Sequence, residues 1–161
     1  MWSRVTFYSS YIAPHFNYCI TVWGSWSDSS RLLKLQKQAA HAIMDCDFTV
    51  PSRDMFCKLK WLSIKEWVKY RKVMTVYKAL NGYLPAYLGE MFQTVNNVHS
   101  RCTRQSAKQS LYLPQGAKLN AYRNSLRYSG AQIYNFLPAE IRSAPSCNVF
   151  KHRYLKNYFT S

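Results

Sequence analysis

The stretch SIKEWVKYRKVMTVYKALNG, Ser63 to Gly82, reads as one helix with both ends marked. Ser63 is an N-cap, and Asn81-Gly82 supplies the left-handed residue on which helices commonly close. Between them, Trp67, Tyr70, Val73, Met74, Tyr77 and Leu80 recur at helical spacing and predict an apolar face over Ile64 to Leu80. Lys65, Lys69 and Lys72 form a narrow basic stripe beside it.

Working outward, the same signals continue upstream. Trp2 to Ala13 reads as a helix stopped by Pro14, and a second runs from about His15 to Trp23, ending at Gly24. Asp28, Ser29 and Ser30 offer caps for a third, about Arg31 to Met44. Its Leu32, Leu35, Ala39 and Ile43 fall on one side, and Arg31, Lys34, Lys37 and His41 on the other. Ser52 caps a short helix to about Leu59. Downstream, Pro85 begins a helix to about Phe92, and from Gln93 to Ser110 periodicity gives way to a polar, basic linker. Ser110 to Pro114 and Asn124 to Tyr128 alternate like short strands, a hairpin around Gln115-Gly116. Helices at about Ala131 to Phe136, Ala139 to Ser143 and Ser146 to Phe159 complete the chain. The fold class is therefore mainly α, with room for one short β-hairpin. Three segments are expected: residues 1–44, a helical region 45–92 packed on them, and a basic C-terminal region 93–161.

Charge is the outlier of the composition. Twenty-two Lys and Arg face seven Asp and Glu, a net +15, and Glu140 is the sole carboxylate beyond Gln93. A compact body with that field attracts polyanions, so phosphate backbones or anionic lipid are the natural partners. Basic stripes at Arg31, Lys34, Lys37 and His41 and at Lys65, Lys69 and Lys72 each have the spacing to track phosphates. Arg101 and Arg104 in the linker, Arg123 and Arg127 among tyrosines and asparagines, and Arg153 with Lys156 on the last helix extend the set. For any single stripe, a solvated helix face explains the pattern equally well; the shared sign favours binding.

Chemistry beyond binding finds little support. Two-metal phosphoryl transfer needs close acidic ligands, and the only near pair, Asp45 and Asp47, reads as two solvated turn acids. No nucleophile motif, Gly-rich phosphate loop or H-E-x-x-H is present, and five glycines leave little room for a nucleotide-cradling loop. No cofactor is expected. The five scattered cysteines contain no C-x-x-C and fit a reducing, intracellular compartment. His99 and Cys102 have half-site spacing that Cys147 and His152 would complete, but ordinary thiols are the better reading. Residues 5–27 carry no charge, yet Pro14, His15, Asn17 and Gly24 keep them too polar for a membrane span or signal peptide. They read as a helical hairpin whose aromatic surface needs a protein cover.

Taken in order, these patterns resemble a family. Tyr18-Cys19-Ile20-Thr21-Val22-Trp23-Gly24 and Leu35-Gln36-Lys37-Gln38-Ala39-Ala40-His41-Ala42-Ile43 are similar to the segment after the palm in jockey-like, LINE-type (non-LTR) retrotransposon reverse transcriptases. Trp61-Leu62-Ser63-Ile64, Tyr77-Lys78-Ala79-Leu80-Asn81-Gly82, Leu84-Pro85, His99 with Thr103-Arg104, Asn135-Phe136-Leu137-Pro138 with Ile141-Arg142, and Phe150-Lys151 continue the likeness. His41 departs from the family's usual Arg, and Tyr134 from its common Trp. The resemblance implies a thumb-like helical bundle over roughly Met1 to Met44 and a duplex-gripping role. It also implies that the catalytic aspartates lie upstream of this chain, so that a palm domain or another protein would cover residues 5–27. The expected function is a non-catalytic reverse-transcriptase fragment binding RNA or DNA backbone with low sequence selectivity. A helical protein-interaction module using the aromatic hairpin is the main competitor, and attachment to anionic membranes the weaker one.

Overall fold

The structure, a computed structural model, describes residues 2–24, 29–47, 49–98, 110–114, 116 and 118–160. It is mainly α-helical, and its contacts divide into two compact units, Met1–Val68 and Lys69–Ser161. The division falls inside the expected middle segment, within the helix Ile64–Leu80.

In the first unit the expected stop at Pro14 is replaced by a widened turn. Helix Trp2–Phe7 passes into a π-helical turn, Tyr8–Ile12, and then into helix Ala13–Asn17. The Ala13 N–H reaches back to the Tyr8 carbonyl, and Pro14 stands at the start of the next turn, where its missing N–H costs no bond. The chain reverses at Tyr18 and Cys19, the latter in the left-handed region at φ 48°, before the short helix Ile20–Trp23. Gly24 follows for a steric reason, because a Cβ there would run into the Val68 side chain and the Ile20 carbonyl. This close approach lets Ile20, Ile64 and Val68 form a buried cluster flanked by Phe16, Trp23, Leu32 and Trp67.

Helix Ser29–Met44 is rotated from its expected pose. Gln36, Ala40 and Ile43 are buried, whereas Leu35 is 53% exposed. The cause is Gln36, whose side-chain amide donates to the Leu62 carbonyl (2.9 Å) and accepts from the Ile64 N–H (2.9 Å). One side chain thus satisfies both backbone groups of the non-helical joint before the long helix. Ala40 packs with Met55 and Phe56 of helix Ser52–Leu59, and Tyr8 stacks on Trp61 with ring centroids 4.0 Å apart. Arg4 closes the far end, donating to the Ala42 carbonyl at 2.8 Å among the last unpaired carbonyls of the helix.

In the second unit the residues Lys69 to Leu80 are buried on almost every side, so the single apolar stripe was too narrow an expectation. Tyr70, Val73, Met74 and Tyr77 are covered as predicted; Val76, Ala79 and Lys72 are covered as well, while Leu80 lies at the exposed end. Tyr77 stacks on Phe150 of the terminal helix Cys147–Thr160 at 4.3 Å and donates its hydroxyl to the Ala144 carbonyl at 2.6 Å. On another side Val76 meets Gly130, where a Cβ would sit 3.0 Å from the valine methyl. Gly82, at φ 72°, closes the helix as its sequence requires.

The expected hairpin is not formed. Asn124 to Tyr128 is helical instead: helix Asn120–Asn124 leads through Ser125 into a π-helical turn, Leu126–Gly130, and helix Ala131–Phe136. Ser125 accepts from the Tyr128 N–H and caps that turn, so local side-chain capping overrides an alternation that looked strand-like. Among the described residues the only β-pairing is one antiparallel bridge, Thr94 with Leu111. Leu111's own N–H and carbonyl point away from it and are both taken by the Asn135 amide, at 2.8 Å each. Asn135 thereby stands in for a second strand, as Gln36 does in the first unit.

Replacing Gln36 with Ala should destabilise the chain by about 2–4 kcal/mol, because two buried backbone groups lose their partner. Asn135→Ala, at a half-buried site, should cost about 1–2 kcal/mol. Urea denaturation followed by circular dichroism measures both, and Gln36→Glu should not rescue because a carboxylate cannot donate to the Leu62 carbonyl.

Candidate nucleic-acid interface

The thirteen residues singled out for phosphate binding fall into three groups. Arg31 and Lys34 are exposed one turn apart on helix Ser29–Met44, with Lys37 half-buried on the next turn. Lys65 and Lys69, one turn apart on the long helix, are exposed, as are Arg123, Arg127 and Lys156. Arg101 and Arg104, together with His99 and Cys102, lie outside the described residues.

The remaining three are corrected by their surroundings. His41 is 9% exposed, turned into the body of the first unit rather than along the basic stripe. Arg153 is half-buried and donates to the Glu140 carbonyl, in the short helix Ala139–Arg142, so its guanidinium serves the packing of the terminal helix. Lys72 is the clearest case, at 1% exposure. Its ammonium donates to the Asn124 carbonyl (2.7 Å) and the Ser129 hydroxyl (2.5 Å), fastening the segment around the π-helical turn to the long helix. Burial away from water lowers its pKa from 10.5 to about 8. A lysine this deep is a structural pin, and no phosphate reaches it.

What the sequence reading missed is a groove. In the second unit a concavity of about 600 Å³ opens between the Thr94–Leu111 bridge and helix Ala131–Phe136. Lys118 and Arg123 bring two exposed cations to it, and among the described residues no Asp or Glu lines it. Tyr112, Tyr128 and Phe136 add aromatic rings, and Gln132 an exposed side-chain amide. Only Arg123 and Tyr128 were legible beforehand, through the mixture of Arg with Tyr and Asn in that segment; Lys118 and Phe136 join them through tertiary packing alone. The Asn135 amide holds the wall next to Phe136 by its two bonds to Leu111.

Among the described residues no three His, Cys, Asp or Glu side chains come together to hold a metal. Asp45 and Asp47 are both exposed, and Asp45 lies 3.8 Å from Arg4. No helix among the described residues is long and apolar enough to cross a membrane. Comparison with family models, curated proteins and solved structures finds no match to this chain.

The pinned lysine makes a pH prediction. Its folded pKa lies below its ordinary value, so between about pH 8 and 10.5 the unfolded chain holds the proton that the folded chain has shed, and stability rises with pH across that window. Tyr70 and Tyr77, raised by burial, lower stability only above their ordinary value of 10.0. Denaturation midpoints of the parent chain should therefore climb relative to Lys72→Met from about pH 8 to pH 10 and run parallel below it. Parallel curves throughout would show that the ammonium is not desolvated.

Proposed function

We propose that this chain is a non-catalytic nucleic-acid-binding module that engages the phosphate backbone of RNA or DNA with low sequence selectivity. The observation that carries this reading is the groove that Lys118 and Arg123 line together with three aromatic rings and, among the described residues, no carboxylate. The exposed pair Arg31 and Lys34, and Lys65 with Lys69, add further cations of the same sign. A net charge of +15 places all of them in a field that draws polyanions and delays their escape. The ordered resemblance to the C-terminal region of non-LTR reverse transcriptases supports the same reading, with the chain as a thumb-like fragment that grips nucleic acid and leaves phosphoryl transfer to a palm.

A second reading is favoured by one specific feature of the first unit. Phe7 and Tyr11 stack at 5.1 Å on the outer side of the N-terminal helix while 59% and 67% exposed, and Tyr18 and Val22 are more exposed still. Such a patch suits a protein partner. The charge-neutral double substitution Phe7→Ser with Tyr11→Ser should remove that docking in a pull-down and leave nucleic-acid affinity unchanged.

The primary test is titration of labelled single-stranded and duplex oligonucleotides at low and fourfold higher salt. With about four phosphate contacts, affinity should fall on the order of a hundredfold between the two. Lys118→Glu with Arg123→Glu should weaken binding about tenfold or more at low salt and flatten the salt slope. An absence of binding at low salt ends the nucleic-acid reading.

A further inference from the structure

We infer that the groove of the second unit is a seat for one unpaired nucleotide, so that the chain prefers single-stranded RNA or DNA to a duplex. This rests on the backbone-binding reading and adds a substrate class to it.

Phe136 is the last residue of helix Ala131–Phe136, and its side chain is 82% exposed on the groove rim, the most exposed large apolar side chain among the described residues. Burial of the core gains nothing from it. Its position is nonetheless well determined: Asn135 is locked to Leu111 through both amide atoms, and the Leu137 N–H is bonded to the Tyr134 carbonyl at 3.1 Å. An apolar ring held on a fixed backbone beside cations has the form of a stacking platform.

The other lining groups fit the remaining parts of a nucleotide. Lys118 and Arg123 meet the phosphate, with no carboxylate among the described lining residues to oppose it. Tyr128, whose ring lies 5.8 Å from that of Tyr122, offers a second aromatic surface in the lining. Gln132, one helical turn before Phe136, can both donate to and accept from a base edge. A volume of about 600 Å³ lies within the range of about 300–1,000 Å³ typical of small-ligand sites.

Selectivity follows from what a duplex keeps covered. Its bases already stack on one another, so it presents phosphates and groove edges but no free ring faces. The cations serve either form, whereas the aromatic rings reward only a strand whose bases can splay out. Charge therefore sets affinity for both, and stacking sets the difference between them.

The experiment compares a fluorescein-labelled thymidine oligomer with a blunt-ended duplex of equal phosphate count, by fluorescence anisotropy at low salt. The parent chain should bind the single strand at least about fivefold more tightly. Phe136→Ala should erase most of that preference while leaving duplex affinity and the salt slope in place; its ring is exposed, so folding should be unaffected, as circular dichroism checks. A single strand carrying a fluorescent purine analogue should change its emission on binding the parent chain and not on binding Phe136→Ala. Equal affinity for the two probes, or a preference that survives Phe136→Ala, overturns the inference and leaves backbone binding standing. Failure of both probes to bind overturns the backbone reading itself.

Discussion

Buried backbone groups must find partners, and in a helical chain the hardest ones to satisfy belong to the joints between helices. Here that constraint is met by side-chain amides. Gln36 covers the donor of Ile64 and the acceptor of Leu62 at once, and Asn135 does the same for both groups of Leu111. An amide is the one neutral side-chain group with donor and acceptor side by side, at the spacing a neighbouring strand would present. Each unit therefore carries a surrogate for one rung of a β-ladder without building a sheet. The consequence for packing is direct: Gln36 must face inward, so helix Ser29–Met44 turns and Leu35 is left in water.

The second unit adds a buried charge to this scheme. Lys72 ties the Asn124 carbonyl and the Ser129 hydroxyl to the long helix, and Asn135 ties Leu111 to helix Ala131–Phe136. The groove has its walls between these two polar fastenings. Arg123 lies one residue before the Lys72 contact, and Phe136 one residue after the Asn135 clamp. Polar groups used for packing thus place the cations and aromatic rings that line the groove. Isolated buried polar groups are costly, but fully partnered ones specify a single arrangement.

The cationic excess is divided accordingly. Lys72 and Arg153 are spent on holding backbone carbonyls, while Arg31, Lys34, Lys65, Lys69, Lys118, Arg123, Arg127 and Lys156 remain at the surface. Net charge is a property of the whole molecule, and long-range attraction to a polyanion feels all of it. Close contact involves only the exposed groups, and the shape around Lys118 and Arg123 is what distinguishes them from a solvated stripe.

Helix positions were largely legible in the sequence because they depend on local signals. Ser63 and Gly82 bracket the long helix, and Asn124 to Tyr128 misled only because its Ser125 cap resembles strand alternation. The mainly α class, the charge and the poverty of carboxylates beyond Gln93 were likewise fixed by composition and periodicity. Which face turns inward was not, since hydropathy ranks Leu35 above Gln36 and Lys72 with Lys65 and Lys69. Only the folded chain shows which backbone groups lack partners, and those vacancies, rather than apolarity, draw Gln36, Lys72 and Asn135 inside. The groove is a tertiary product for the same reason: Lys118 and Phe136 are eighteen positions apart in sequence, and a long-range hydrogen bond from a side-chain amide has no periodic signature.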